Sequence, residues 1–168
     1  MIGKRGIVMS LVFLLILNTI TAQTLLDEAQ QQLAANELTA ALQSVETAKA
    51  DAALAQNART WYLAGFTYKS LYESTPDQYP DSRELALSSF STCLTTATDD
   101  SYKEDCTNMG QYMLTTYFND GVNAFNDGNY EQADHFFGIY VSKQHPEIGG
   151  ETYGNALFYG GLAAEYLN

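Results

Sequence analysis

The stretch Gly128-Asn129-Tyr130-Glu131-Gln132-Ala133, continued by Phe137, Tyr140 and Pro146, decides how this chain folds. Glycine weakens a helix, so Gly128 predicts a break. Beyond it, Tyr130, Ala133, Phe137 and Tyr140 recur at spacings of three and four, which puts them on one face of the next helix. Ala133 is small enough to let a second helix backbone come close, and Phe137 fills the space beside it. A helical hairpin of this size cannot bury its apolar face alone. It has to stack on further copies, and stacked copies build surfaces rather than enclosed catalytic pockets.

The rest of the chain reads the same way. Few strand-like alternations and only three prolines predict an all-α fold, with Pro76, Pro80 and Pro146 in loops. Helices are expected over Leu25–Ala35 and Leu38–Ala50, over Ala58–Glu73 and Ser82–Thr96, over Tyr102–Asn126 and Tyr130–Lys143, and over Tyr153–Leu167. Asp81 or Ser82 is placed to cap one helix start and Asp100 or Ser101 another. The pairs are self-similar. Trp61-x-x-Ala64-Gly65-x-x-Tyr68 has the spacing of Tyr159-x-x-Leu162-Ala163-x-x-Tyr166, and Tyr117, Gly121 and Ala124 hold those places in the third pair. On the second helices, Ala41-Val45-Ala48, Ala86-Phe90-Cys93 and Ala133-Phe137-Tyr140 share one spacing.

On these residues the chain resembles the tetratricopeptide repeat family, whose pattern is W-x₂-L-G-x₂-Y followed by A, F and P. The resemblance implies an α-α superhelix of about three and a half repeats, near residues 22–55, 58–97 and 101–147 with a partial repeat at 153–168. The first repeat departs most, with Leu25, Ala29 and Gln32 where an aromatic, Gly and Tyr are usual. The long loop around Pro76 to Asp81 also looks like exported repeat proteins of Gram-negative bacteria. In this family the first helices line a concave groove. Carried over residue by residue, that groove comprises Arg59, Tyr62, Phe66 and Lys69 with Phe118, Val122 and Phe125. The resemblance implies an aromatic floor with two cations at its side, suited to a peptide. The family's carboxylate clamp needs Lys and Asn where this chain has Tyr62 and Phe66, so that specialised use is not expected.

The first 22 residues read as a signal peptide outside the folded domain, which spans 23–168. Lys4 and Arg5 precede a short apolar run from Leu11 to Leu17, and Ile20-Thr21-Ala22 offers a cleavage site before Gln23. The run is too short for a good membrane anchor, so no integral span is expected after cleavage. Export follows, and the resemblance to exported repeat proteins of Gram-negative bacteria implies the periplasm or the outer membrane. Among 168 residues the formal net charge is −12, which opposes nucleic acid because nothing neutralises phosphates. The two cysteines, Cys93 and Cys106, lie on helices that run antiparallel about a turn near residue 99. They either form a disulfide closing a short loop, worth about 2–3 kcal/mol, or are two small buried side chains.

No catalytic, phosphate-binding or dinucleotide motif occurs in the sequence, and no enzyme activity, metal or cofactor is expected. His135 and His145 do not make a ligand pair, and Asp120-Gly121 and Asp127-Gly128 lack calcium-loop spacing. Glu131 and Asp134 read as a solvated acidic face. The expected role is a non-enzymatic exported scaffold that binds a protein or peptide in a cell-envelope assembly; the alternative is a glycan-binding helical-repeat protein. The last helix is apolar nearly all round, with Glu165 its only charge. The chain is therefore expected to be part of a longer array, to dock on another chain or to self-associate.

Overall fold

The computed structural model describes residues 24–98, 100–143 and 153–167. The proposed leader, Gln23, His145 and Pro146 lie outside the described residues. All regular structure within them is helical. Helix α1 covers residues 24–34. It is followed by α2 (Leu38–Ala50), a single 3₁₀ turn (Leu54–Gln56), α3 (Ala58–Ser74), α4 (Ser82–Thr96), α5 (Lys103–Asn126), α6 (Tyr130–Ser142) and α7 (Tyr153–Tyr166). Each helix from α2 onward packs chiefly on its neighbours in the chain, with smaller contacts of α3 with α5 and of α5 with α7.

Two turns need left-handed backbone: Asn36 at φ 58° between α1 and α2, and Gly128 at φ 74° between α5 and α6. Asparagine and glycine are the residues that reach this region at least cost. Asp81 stands at the N-cap position of α4 as expected, without a side-chain cap bond, while Tyr102, not Asp100 or Ser101, occupies that position at α5. The side-chain caps come from Asn57, which accepts from the Arg59 N–H, and Asn129, which accepts from the Gln132 N–H. At α4 the work of holding the start falls instead to backbone turns, with Ser82 N–H donating to the Tyr79 carbonyl.

The core is one continuous layer between successive helices. Ala41, Val45 and Ala48 of α2, Ala86, Phe90 and Cys93 of α4, and Ala133, Phe137 and Tyr140 of α6 are all buried. The equivalent positions therefore do the same job three times. On the facing helices, Gly65 lies under the Phe90 ring and Gly121 under the Phe137 ring, each so close that a methyl group would collide. Trp61 is tied down by its indole N–H, which donates to the Ala55 carbonyl at 2.8 Å, and Thr60 bonds the Leu54 carbonyl at 2.8 Å. These bonds fix the 3₁₀ turn against the start of α3.

Cys93 and Cys106 are joined as a disulfide between α4 and α5, with their α-carbons 6.4 Å apart and both residues buried. Arg83 crosses the same joint near the other end of α4. Its guanidinium lies 3.5 Å from the Tyr117 ring centre, and its Nη1 donates to Asp120 at 2.6 Å. Tyr72 and Phe136 stand at 5.4 and 5.8 Å on other sides. Long, mostly hydrocarbon and delocalised, Arg83 serves as core filler that carries its own counter-ion.

Candidate binding groove

Residues of α1 and α3 leave a shallow groove of about 280 Å³ between them, lined by Gln30, Leu33, Ala34, Tyr62, Leu63, Phe66 and Ser70. Its floor is apolar and aromatic, with an amide and a hydroxyl at the edges. Tyr62 and Phe66 reach it because they stand one helical turn apart on the same face of α3. Their rings touch at 4.9 Å, and each has a second aromatic support, Tyr102 at 5.0 Å and Phe90 at 5.6 Å. The floor is thus held by α4 and α5 from behind and presents preset surface. Burial, followed by the Asp105 carboxylate beside it, pushes the Tyr62 hydroxyl above the ordinary tyrosine value. It stays a neutral hydrogen-bonding group at physiological pH.

The two cations expected along the groove are both engaged within the chain. Arg59 pairs with Asp27 of α1 at 2.7 Å and donates to Gln30 at 2.6 Å. Lys69 pairs with Glu73 at 2.8 Å and sits 5.1 Å over the Tyr112 ring. An incoming carboxylate would have to displace an existing one. Anchoring of an acidic terminus is therefore not what these residues offer.

Phe118, Val122 and Phe125, expected to share one aromatic surface with Tyr62 and Phe66, are not among the residues that line this groove. The first half of α5 is the part that lies along α3: Tyr102 meets Tyr62, and Tyr112 donates its hydroxyl to Glu73 at 2.8 Å. Residues 118–125 begin about 9 Å further along the helix and serve another joint. Phe118 packs on Phe137 and Tyr140 at 5.7 and 5.6 Å. Phe125 is covered by Tyr130 at 5.3 Å and by Tyr159 of α7 at 5.6 Å. Val122 is half-buried against the same core. At 24 residues, α5 is long enough to face α3 with one half and α6–α7 with the other.

Among the described residues, no group of three or more His, Cys, Asp and Glu side chains gathers as a metal site, and no helix is long and apolar enough to cross a membrane. No family model, curated protein or solved structure matches the chain.

Proposed function

We propose that the chain is an exported scaffold of tetratricopeptide-like helical hairpins whose α1–α3 face binds an apolar segment of another protein. The observation that carries this reading is the groove floored by Leu33, Tyr62 and Phe66, with Arg59 and Lys69 already ion-paired beside it. A rigid aromatic floor with few polar edges suits the aromatic or branched side chains of a peptide, which act as anchors while the rim excludes water. The repeat reading is supported by the recurrence of one packing device, a glycine under a phenylalanine ring, in both the α3–α4 and α5–α6 pairs. Export is supported by the leader-like first 22 residues together with the buried disulfide, which needs an oxidising compartment. The glycan alternative has less behind it, because Trp61, the best ring for stacking on a sugar, is half-buried and bonded to Ala55.

Selection of a displayed random peptide library on the purified chain tests the proposal. Enriched peptides are expected to share one or two aromatic or branched apolar residues, and Tyr62→Ala is expected to weaken them at least tenfold. Enrichment of acidic C-termini, binding indifferent to Tyr62→Ala, or a glycan array hit that the same substitution abolishes would each overturn it.

A further inference from the structure

Lys49, Lys69 and Arg83 are each held by an aromatic ring and a carboxylate together. Lys49 stands 5.0 Å over the Tyr68 ring and pairs with Glu46. Lys69 stands 5.1 Å over Tyr112 and pairs with Glu73, and Arg83 lies 3.5 Å over Tyr117 and pairs with Asp120. The ring turns its negative face to the cation, and the carboxylate supplies a full charge. A further set of the same parts borders the groove on its α5 side. The Tyr62 and Tyr102 rings meet at 5.0 Å, inclined at 48°. Asp105 follows Tyr102 by three residues, which puts it on the same face of α5, and its carboxylate stands beside the Tyr62 hydroxyl. Asp105 is exposed. Among the described residues no Lys or Arg stands over these two rings or pairs with this carboxylate, each of them being paired with another.

We propose, resting on the groove reading above, that Tyr62, Tyr102 and Asp105 receive a lysine or arginine side chain of the segment bound between α1 and α3. Charge complementarity selects that occupant. The chain carries 20 Asp and Glu against 8 Lys and Arg. A partner's carboxylate would have to displace one of the chain's own from Arg59 or Lys69. A partner's cation instead meets an exposed carboxylate with two rings beside it. Position agrees. The Tyr62 ring touches Phe66 of the apolar floor at 4.9 Å on one side and Tyr102 at 5.0 Å on the other. An apolar anchor over Phe66 and a cation over the tyrosines can therefore come from residues two apart in an extended peptide, about 7 Å. Asp105 also stands in the first turn of α5, where a carboxylate favours the helix itself. Glu104 shares that turn but projects about 100° further round the helix, which makes it the control.

The test uses peptides selected from a displayed random library on the purified chain and then resynthesised. Enriched peptides are expected to carry a Lys or Arg within about three residues of the apolar anchor. Replacing that cation by norleucine should weaken binding to the parent about fivefold or more. The same replacement should cost less than about twofold on Asp105→Asn, where the charge it serves is already gone. Asp105→Asn should itself weaken the cationic peptide about fivefold with an unchanged helical circular-dichroism spectrum, while Glu104→Gln should leave binding within about twofold. Enriched peptides without a cation, or a norleucine penalty that Asp105→Asn leaves unchanged, would overturn the inference. Leu33→Ala tells its failure from that of the groove, since Leu33 lines the groove from α1. Cation-free peptides that Leu33→Ala weakens would keep the groove and remove only its cation site, whereas a selection that enriches nothing would remove both.

Discussion

A methyl group on Gly121 would stand 2.7 Å from the Phe137 ring, and one on Gly65 would stand 2.5 Å from the Phe90 ring. Neither ring has room to retreat. Phe137 and Phe90 are buried, the first against Phe118 and Tyr159, the second against Phe66. Alanine is the better helix former by about 1 kcal/mol, yet overpacking of a filled core costs about 1–3 kcal/mol. Gly121→Ala should therefore destabilise the fold. Gly138→Ala, on the same joint but with open space around it, should stabilise by up to about 1 kcal/mol. Urea midpoints of the two variants check the pair, and shifts of equal sign would mean that helix propensity and not packing governs these sites. This joint was legible in the sequence, because a small residue and a phenylalanine recur at fixed spacing. Arg83 was not. Nothing in its neighbours along the chain announces burial among Tyr72, Tyr117 and Phe136, since those rings come from three other helices.

At the scale of helices, the sequence reading placed α2 and α4 at their observed bounds and the others within one residue at each end. Apolar periodicity and Gly or Pro punctuation are local signals, and helix extent depends on them. Asp81 was placed correctly at the start of α4, but the residue before α5 was not, because several Asp and Ser compete at that turn and the choice depends on how the chain enters from the preceding helix. Of the groove, Tyr62 and Phe66 were legible as one face of α3, whereas the part that α1 plays through Gln30, Leu33 and Ala34 was not, because it is set by packing between helices. The α2–α3 joint makes a separate prediction. Lys49 donates to Glu46 at 2.8 Å and to the Tyr68 hydroxyl at 2.9 Å, and Tyr68 in turn donates to Glu46. Burial acts first and pushes the Glu46 carboxyl up, but the hydrogen bonds from Lys49 and Tyr68 and the ammonium charge outweigh it and hold it below the ordinary value. Burial likewise opposes the Lys49 charge, and the bonds to Glu46 and Tyr68 outweigh it and raise that group. A lowered carboxyl contributes stability above the unfolded value and loses it as pH falls through the folded one; a raised lysine loses its contribution as pH rises. Stability from this joint should hold from about pH 6 to 9. Lys49→Met should lower the melting temperature at pH 7, and the gap to the parent should narrow as pH falls below the ordinary carboxyl range and through the folded Glu46 value. A gap that stays constant with pH would show that the loss comes from hydrocarbon packing on Trp61 and Tyr68 alone.

From α2 onward, contacts run chiefly from each helix to the next, and those of α3 with α5 and of α5 with α7 are few, while Arg59 of α3 reaches back to Asp27 and Gln30 of α1. In such an arrangement stability is close to a sum of local terms, and damage at one joint need not reach a distant one. The α4–α5 boundary carries a covalent tie as well as an ion pair, because the Cys93–Cys106 disulfide and the Arg83–Asp120 pair both span it. Phe137→Leu, which keeps the apolar character but vacates part of the seat over Gly121, is the probe. Native-state hydrogen exchange should show lost protection in the second half of α5, in α6 and in α7. Amides of α1, α2 and α3, which share no packing with Phe137, should exchange as in the parent. Reduction of the disulfide should let the loss spread into α4, since the covalent tie no longer holds that helix to the start of α5. A uniform fall in protection along all helices would mean that the layer between them behaves as one cooperative core, and the additive picture of stacked hairpins would have to be given up.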